Sequence, residues 1–222
     1  MTDCQGRSED TKQRLIEAAG EVFAQQGFRA ATIREICSRA GTHVGAVNYH
    51  FGDKEGLYAA VLAYAHTSAM RRYPPDLGLE AGERDPEARL RAFVRSLLMR
   101  MLAEGFPAWH GKLMAFEIAE PTKAFDQLIE NAIRPLFTYL RDIVSELLRS
   151  PRPAQEREDE LTFLCATSIV GQCLHYFTAR RVIELLSPQG FDSADIQRLT
   201  EHITRFSLGA IKAMRAEGAG HG

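Results

Sequence analysis

Apolar positions recur along nearly the whole chain at three- and four-residue spacing, the period of an amphipathic helix, and no alternating run of strand length interrupts them. Leu15, Ala18, Ala19, Val22 and Phe23 form the first stripe, and Gly27 is its natural stop. Thr32 and Glu35 have the spacing of a capping box, in which each side chain satisfies a free backbone donor of the other. Ile33, Ile36, Cys37 and Ala40 line one face behind that box, and Gly41 breaks the chain sharply. A short helix is expected over Val44–Phe51, docked inward by Val47 and Phe51. Asp53 then caps a fourth helix carrying Leu57, Val61, Leu62 and Ala65 on its inner side.

Residues 73–86 read as a loop by their prolines, glycines and charges, and Asp85-Pro86 opens the next helix as a cap followed by a first-turn proline. Its stripe runs Leu90, Phe93, Val94, Leu97, Leu98, Met101, Leu102 and stops at Gly105. A shorter helix over Ala108–Ala119 and a long one from Phe125 to Ser150 follow, the latter bent by Pro135, which lacks an N–H to donate. SPRPAQERED is a second loop. Leu161–Ala179 is apolar nearly all round, which implies burial on more than one side. The last helix, Asp192 to about Glu217, places Ile196, Leu199, Ile203, Phe206 and Ala210 as a seam suited to a partner helix. The expectation is an all-α fold of about nine helices.

With 45% hydrophobic and 25% charged residues the composition is globular. No apolar run approaches the roughly 18–20 residues of a membrane span. MTDCQGRSEDTK lacks the apolar core of a signal peptide, so a cytoplasmic protein with no membrane partner is expected. The net charge of −2 excludes a uniformly basic coat but leaves room for a local phosphate-binding face. Cys4, Cys37, Cys165 and Cys173 form no CxxC pair and no zinc spacing, so no metal site is expected. No cofactor motif and no catalytic constellation is present: there is no Gly-rich phosphate loop, nucleophile elbow or HExxH.

Thr32–Ala40 and Val44–Phe51, joined by a tight glycine turn, are a helix-turn-helix arrangement, whose second helix enters the DNA major groove. Gly45 and Ala46 keep the front of that helix slim, while Asn48, Tyr49 and His50 supply groups that reach phosphates or base edges. Lys54 opposes the dipole of the helix it begins, by a few tenths to about 1 kcal/mol. A helix N-terminus is a phosphate site that a lysine strengthens. Singly, Lys54 also reads as a solvated lysine, Tyr49 as a packing aromatic and His50 as a surface histidine.

The run ATIREICSRAGTHVGAVNYHFGDKEGLYAAVL resembles the DNA-binding domain of TetR/AcrR-type bacterial regulators over residues 10 to 65, with Tyr49, His50, Phe51, Lys54, Glu55 and Leu57 matching that pattern. The resemblance implies phosphate contacts from Thr32, Tyr49, His50 and Lys54, and base contacts from Val44, Gly45 and Asn48, with Arg34 joining from the preceding helix. Thr42, His43 and Val44 depart from the usual valine, serine cap and polar residue; a thymine methyl is a substitute contact for Val44. MAFEIAEPTKAFDQLIENAIRPLF, with SIVGQCLHYF later, resembles the C-terminal domain of the CecR branch, whose members regulate efflux or transport genes.

The resemblance further implies a repressor released from a palindromic operator on double-stranded DNA when a small-molecule effector binds, and a homodimer through the last two helices. The domain division expected is a flexible arm over 1–9, the DNA-binding domain over 10–56, a ligand-binding and dimerisation domain over 57–217 and a flexible tail over 218–222. Pocket candidates are Trp109, His110, Met114, Phe116, Glu117, Phe137, Tyr139, Gln172, His175 and Tyr176. Trp109, Met114, Phe116 and Phe137 equally suit core packing. Glu117, if inside, is paired or protonated, and facing a cavity it favours cationic ligands; it also reads as a solvated carboxylate. An all-α enzyme or binding module with a degenerate helix-turn-helix is the alternative. A redox sensor is a third reading, but Cys165 and Cys173 stand about 12 Å apart along one helix, too far for a disulfide.

Overall fold

The computed structural model of the chain describes residues 2–102, 109–149, 155–186 and 195–220. Among the described residues there are eleven α-helices and no strand: α1 Thr2–Ala30, α2 Ile33–Arg39, α3 Val44–Phe51, α4 Lys54–Arg72, α5 Pro86–Leu102, α6 Trp109–Ala119, α7 Lys123–Leu128, α8 Arg134–Leu148, α9 Gln155–Thr178, α10 Arg180–Leu186 and α11 Ile196–Gly220. The arm expected over 1–9 is helical from Thr2, and the helix expected to stop near Glu217 continues to Gly220. Gln155 to Asp159, read as loop, already belongs to α9. The expected stop at Gly105, the helix start at Ala108, the rest of the second loop and the helix start at Asp192 lie outside the described residues.

Two compact units divide the chain differently from the boundary expected at residue 56. The first takes in the chain up to Ala69 together with the segment ending at Ile133; the second takes in α5 with residues from Met70, and everything from Arg134 onward. The first core is built from Leu15, Ala19, Val22 and Phe23 of α1, Ile36 and Cys37 of α2, Val47 of α3, and Leu57, Tyr58, Val61 and Leu62 of α4. Trp109 and Leu113 of α6 and Leu128 of α7 complete it. That extension depends on one small residue. A methyl group at Gly20 would stand 2.6 Å from the Trp109 indole, so only glycine lets the ring lie against α1. Tyr64 stacks on the same indole at 6.4 Å.

In the second unit α11 packs along α5, and α8 along α9. Leu90, Phe93 and Leu98 of α5 meet Leu140, Ile143 and Val144 of α8, Ile169 and Cys173 of α9, and Leu199 and Ile203 of α11. The seam expected on the last helix is therefore split: Ile196, Leu199 and Ile203 are spent on the chain's own core, while Phe206 is 62% exposed. On α9, likewise, Cys165, Ala166 and Ile169 face inward but Phe163 and Leu164 are exposed.

The bend attributed to Pro135 takes a particular form. A π-helical turn over Ile129–Ile133 precedes α8, and the wider turn relieves the carbonyl four residues before a proline that can neither donate to it nor clear it.

Candidate nucleic-acid interface and effector residues

Gly27 breaks α1 with φ 76 and ψ 169, backbone that glycine tolerates and other residues avoid. Thr32 caps α2, its Oγ1 accepting from Glu35 N at 3.2 Å. The expected reciprocal half of the box is replaced: the Glu35 carboxylate accepts from Gln26 Nε2 at 2.9 Å and pairs with Arg39 at 3.5 Å, tying α2 to α1. Gly41, at φ 62, makes the turn, and Thr42 N donates to Cys37 O at 2.9 Å. His43 occupies the N-cap of α3 without a side-chain cap bond. Its ring lies instead over Gly45, where a Cβ would stand 3.1 Å from Nδ1.

Val47 is fully buried, and so nearly is Ala46, which the sequence pattern places on the slim outer face; the structure turns it inward. The outward face of α3 carries Val44, Gly45, Asn48 and Tyr49, all exposed; Tyr49 is 81% exposed and meets His50 edge-on at 4.9 Å. Arg34 and Thr32 on α2 are exposed as well. Thus Thr32, Arg34, Val44, Gly45, Asn48 and Tyr49 are open to a partner, with His50 half-buried behind them.

Lys54 explains its own unfavourable placement. Asp53 Oδ1 accepts from Gly56 N at 2.7 Å and caps α4 as expected. The Lys54 ammonium reaches back, donating to Arg29 O at 3.2 Å and lying 4.7 Å from the centre of the Phe28 ring. The cation that opposes one helix dipole thereby favours the carbonyl end of another. An ammonium has three donors, so the bond to Arg29 leaves two for an anion.

The effector candidates do not come together in one unit. Trp109, His110 and Met114 belong to the first, Trp109 and His110 being buried and Met114 packed against the core, while Phe116 on the same helix is exposed. Glu117 is fully buried and satisfied from within: Tyr58 Oη donates to Oε1 at 2.5 Å, Thr122 N to Oε2 at 2.9 Å, and Thr122 Oγ1 approaches both oxygens. Burial, then the hydrogen bond to Glu117, pushes the Tyr58 phenol far above its ordinary value. Glu117 is a link between α4 and the α6–α7 turn, and its lone pairs are already engaged by the chain rather than presented to a cation.

In the second unit Phe137 meets Phe163 edge-on at 5.7 Å and Tyr139 lies beneath the Arg89 guanidinium, which pairs with Glu146 at 2.8 Å. Gln172 donates to Ser207 Oγ at 3.2 Å, and His175 is exposed beside Tyr176. Tyr176 alone of the ten borders a described cleft, an open groove of about 970 Å³ flanked by Arg91, Arg205 and Lys212. Sequence reasoning missed Tyr58 and, more consequentially, Arg100. Among the described residues the four buried side-chain polar atoms without a partner are Arg100 Nη2, Arg141 Nε, Thr162 Oγ1 and Thr204 Oγ1, all in the second unit. Arg100 had a signal in the sequence, because it falls in helical register with Phe93 and Leu97. No group of histidine, cysteine, aspartate and glutamate able to hold a metal occurs among the described residues, and none of their helices is long and apolar enough to cross a membrane.

Comparison with known proteins bears on both parts of the chain. A family described as bacterial regulatory proteins, tetR family, matches residues 15–61, and one described as the C-terminal domain of the HTH-type transcriptional dual regulator CecR matches residues 86–211. CecR of Shigella flexneri is 26% identical over 209 residues, spanning 89% of this chain and 90% of that protein. The regulator SrpR of Pseudomonas putida is 44% identical over 73 residues, about a third of either chain. The fold resembles that of the fatty acid degradation regulator FadR from Bacillus halodurans, with a TM-score of 0.65 at 16% identity, over 90% of this chain and 95% of that one.

Proposed function

Because the chain belongs to the TetR family of bacterial transcriptional regulators and carries a CecR-type C-terminal domain, we propose that it is a ligand-responsive repressor of efflux or transport genes. It binds a palindromic operator as a homodimer in the cytoplasm and leaves it when a small molecule enters the C-terminal domain. The observation that carries this reading is α3, a helix anchored by Val47 whose outer face of Val44, Gly45, Asn48 and Tyr49 is left open. Thr32, Tyr49, His50 and Lys54 take phosphates; Val44, Gly45 and Asn48 meet base edges, with Arg34 alongside. The exposed Phe163, Leu164 and Phe206 support dimerisation through α9 and α11. Gly171 and Gly209 leave that surface open within the chain, since a Cβ at either meets nothing within 4 Å. A twofold dimer sets the two α3 helices about 34–36 Å apart, or a multiple of helical turns.

Fluorescence anisotropy with the DNA upstream of its own gene, at two salt concentrations and against scrambled competitor, tests the reading. Binding that survives competitor and weakens with salt is expected. Absence of binding to any DNA at low salt would refute it.

A further inference from the structure

Arg100 lies on α5, and among the described residues no acid pairs with it. Its Nε donates only to Ser96 O of its own helix, at 3.3 Å, and its Nη1 is directed at the thioether of Met70. Nη2 is buried and bonded to nothing. A guanidinium carries five N–H donors and stays charged; Arg100 is half-buried, and its enclosed Nη2, with neither a hydrogen-bond partner nor a counter-charge among the described residues, is unfavourably placed. The neighbouring ionisable group does not relieve it: burial pushes the Cys173 thiol up to about 12, so it is neutral at physiological pH. Burial also lowers Arg100, to about 10, which still leaves it protonated. The contrast with Glu117, whose buried carboxyl oxygens are met by Tyr58 and Thr122, is direct.

We infer that Arg100 is the recognition group for an anionic effector, one whose carboxylate or phosphate takes the place of the Met70 sulfur. The inference rests on the C-terminal domain being the effector domain and names its ligand class. A thioether is a weak acceptor on a side chain with three rotatable bonds, easily displaced. A carboxylate or phosphoryl oxygen is a far stronger acceptor for a fork of N–H groups. Leu97 and Met101, beside Arg100 along α5, and Val170 of α9 are partly buried apolar side chains packed on the same core, a setting that fits an acid carrying a hydrocarbon portion. The cationic ligand expected from Glu117 is replaced by its opposite.

The test compares four eight-carbon probes on the full-length protein: octanoate, octyl phosphate, octanol and octylamine. Melting temperature is followed in the wild type, Arg100→Met, Arg100→Lys and Glu104→Gln. Octanoate or octyl phosphate should raise the wild-type melting temperature by about 2–4 °C and octanol and octylamine by less. Arg100→Met should weaken the anions roughly 10- to 100-fold, Arg100→Lys less, and leave octanol unchanged. Arg100→Met without ligand should melt at or above the wild type, a result that a purely structural arginine does not produce. A clear fall in its melting temperature, anion shifts that match those of octanol, or anion shifts that survive the substitution would each overturn the inference. So would destabilisation by Glu104→Gln equal to that of Arg100→Met, which would make Glu104 the native partner. DNA release by octylamine alone, undiminished in Arg100→Met, would sink the anionic class while leaving a ligand-responsive regulator. Failure to bind any DNA would sink the regulator reading while the melting series still judged Arg100.

Discussion

Tyr58→Phe removes one oxygen from the link between α4 and the α6–α7 turn. The lost hydrogen bond is made to a fully buried carboxylate, Oε1 of Glu117, at 2.5 Å. Hydrogen bonds to charged groups contribute about 1.5–3 kcal/mol, and Thr122 still serves the carboxylate after the change, so a loss of about 2 kcal/mol is expected. Glu117→Gln should also cost stability, because the amide nitrogen cannot accept, so the bonds from Tyr58 Oη and Thr122 N cannot both be kept in their present direction. In the double variant the two losses should overlap by about 1–2 kcal/mol, the signature of a shared contact. Urea unfolding followed by circular dichroism supplies these values. The pH dependence is a second check. The Tyr58 phenol is raised in the folded chain, by burial first and Glu117 second. Below about pH 10 both folded and unfolded tyrosine hold the proton and the contribution is complete. Above it the unfolded chain releases the proton while the folded one keeps it, so stability falls as pH rises. Tyr58→Phe should flatten that alkaline fall. A loss under about 0.5 kcal/mol, together with an unchanged alkaline limb, would refute a phenol-held carboxylate.

The two phosphate candidates Tyr49 and Lys54 should separate on stability. Tyr49→Ala should weaken operator binding about tenfold with unchanged unfolding, since the ring is 81% exposed. Lys54→Ala should weaken it similarly, lower the salt slope by about 0.9, and also destabilise the fold through loss of the Arg29 contact. Gly56→Ala should disrupt the junction of α3 and α4, because the added Cβ would lie 2.1 Å from Phe51 O; a loss of more than about 3 kcal/mol in urea unfolding is expected. Thiol titration with a disulfide reagent should leave Cys37, Cys165 and Cys173 unmodified until the chain unfolds, because all three are buried and held in the thiol form.

Local chemistry was legible wherever neighbours in sequence are also neighbours in space. The Thr32 and Asp53 caps, the Gly27 and Gly41 breaks and the bounds of α3 all follow from side chains acting within a turn of themselves. The same limit explains the departures. Glu35 is drawn from its own helix by Gln26, and Ala46 is buried because α1 passes behind α3, and neither follows from periodicity within the segment. Apolar count on α9 and α11 was visible, but which residues serve this chain's core and which stay uncovered depends on how α5 and α8 pack against them. Glu117 was legible as an unusual carboxylate; that its partner would be Tyr58, 59 residues away, was not. Arg100 was overlooked because a single polar residue inside a strong stripe does not disturb the stripe, although that is where a misplaced charge is most informative.

The first unit is discontinuous along the chain, and this matters for how the protein comes into being. Its surface on α1 waits for Trp109, Leu113 and Leu128, which emerge from the ribosome only after the whole of α5. At about 5–20 residues per second, the roughly 60 residues between Ala69 and Ile133 take about 3–12 s to make. For that interval α3 exists without the cover that completes the core of its unit, and Gly20 faces water where an indole will lie. The same discontinuity governs transplantation: a reading head cut after α4 leaves its tryptophan behind, so a graft between relatives keeps its packing only if residues 109–133 travel with it.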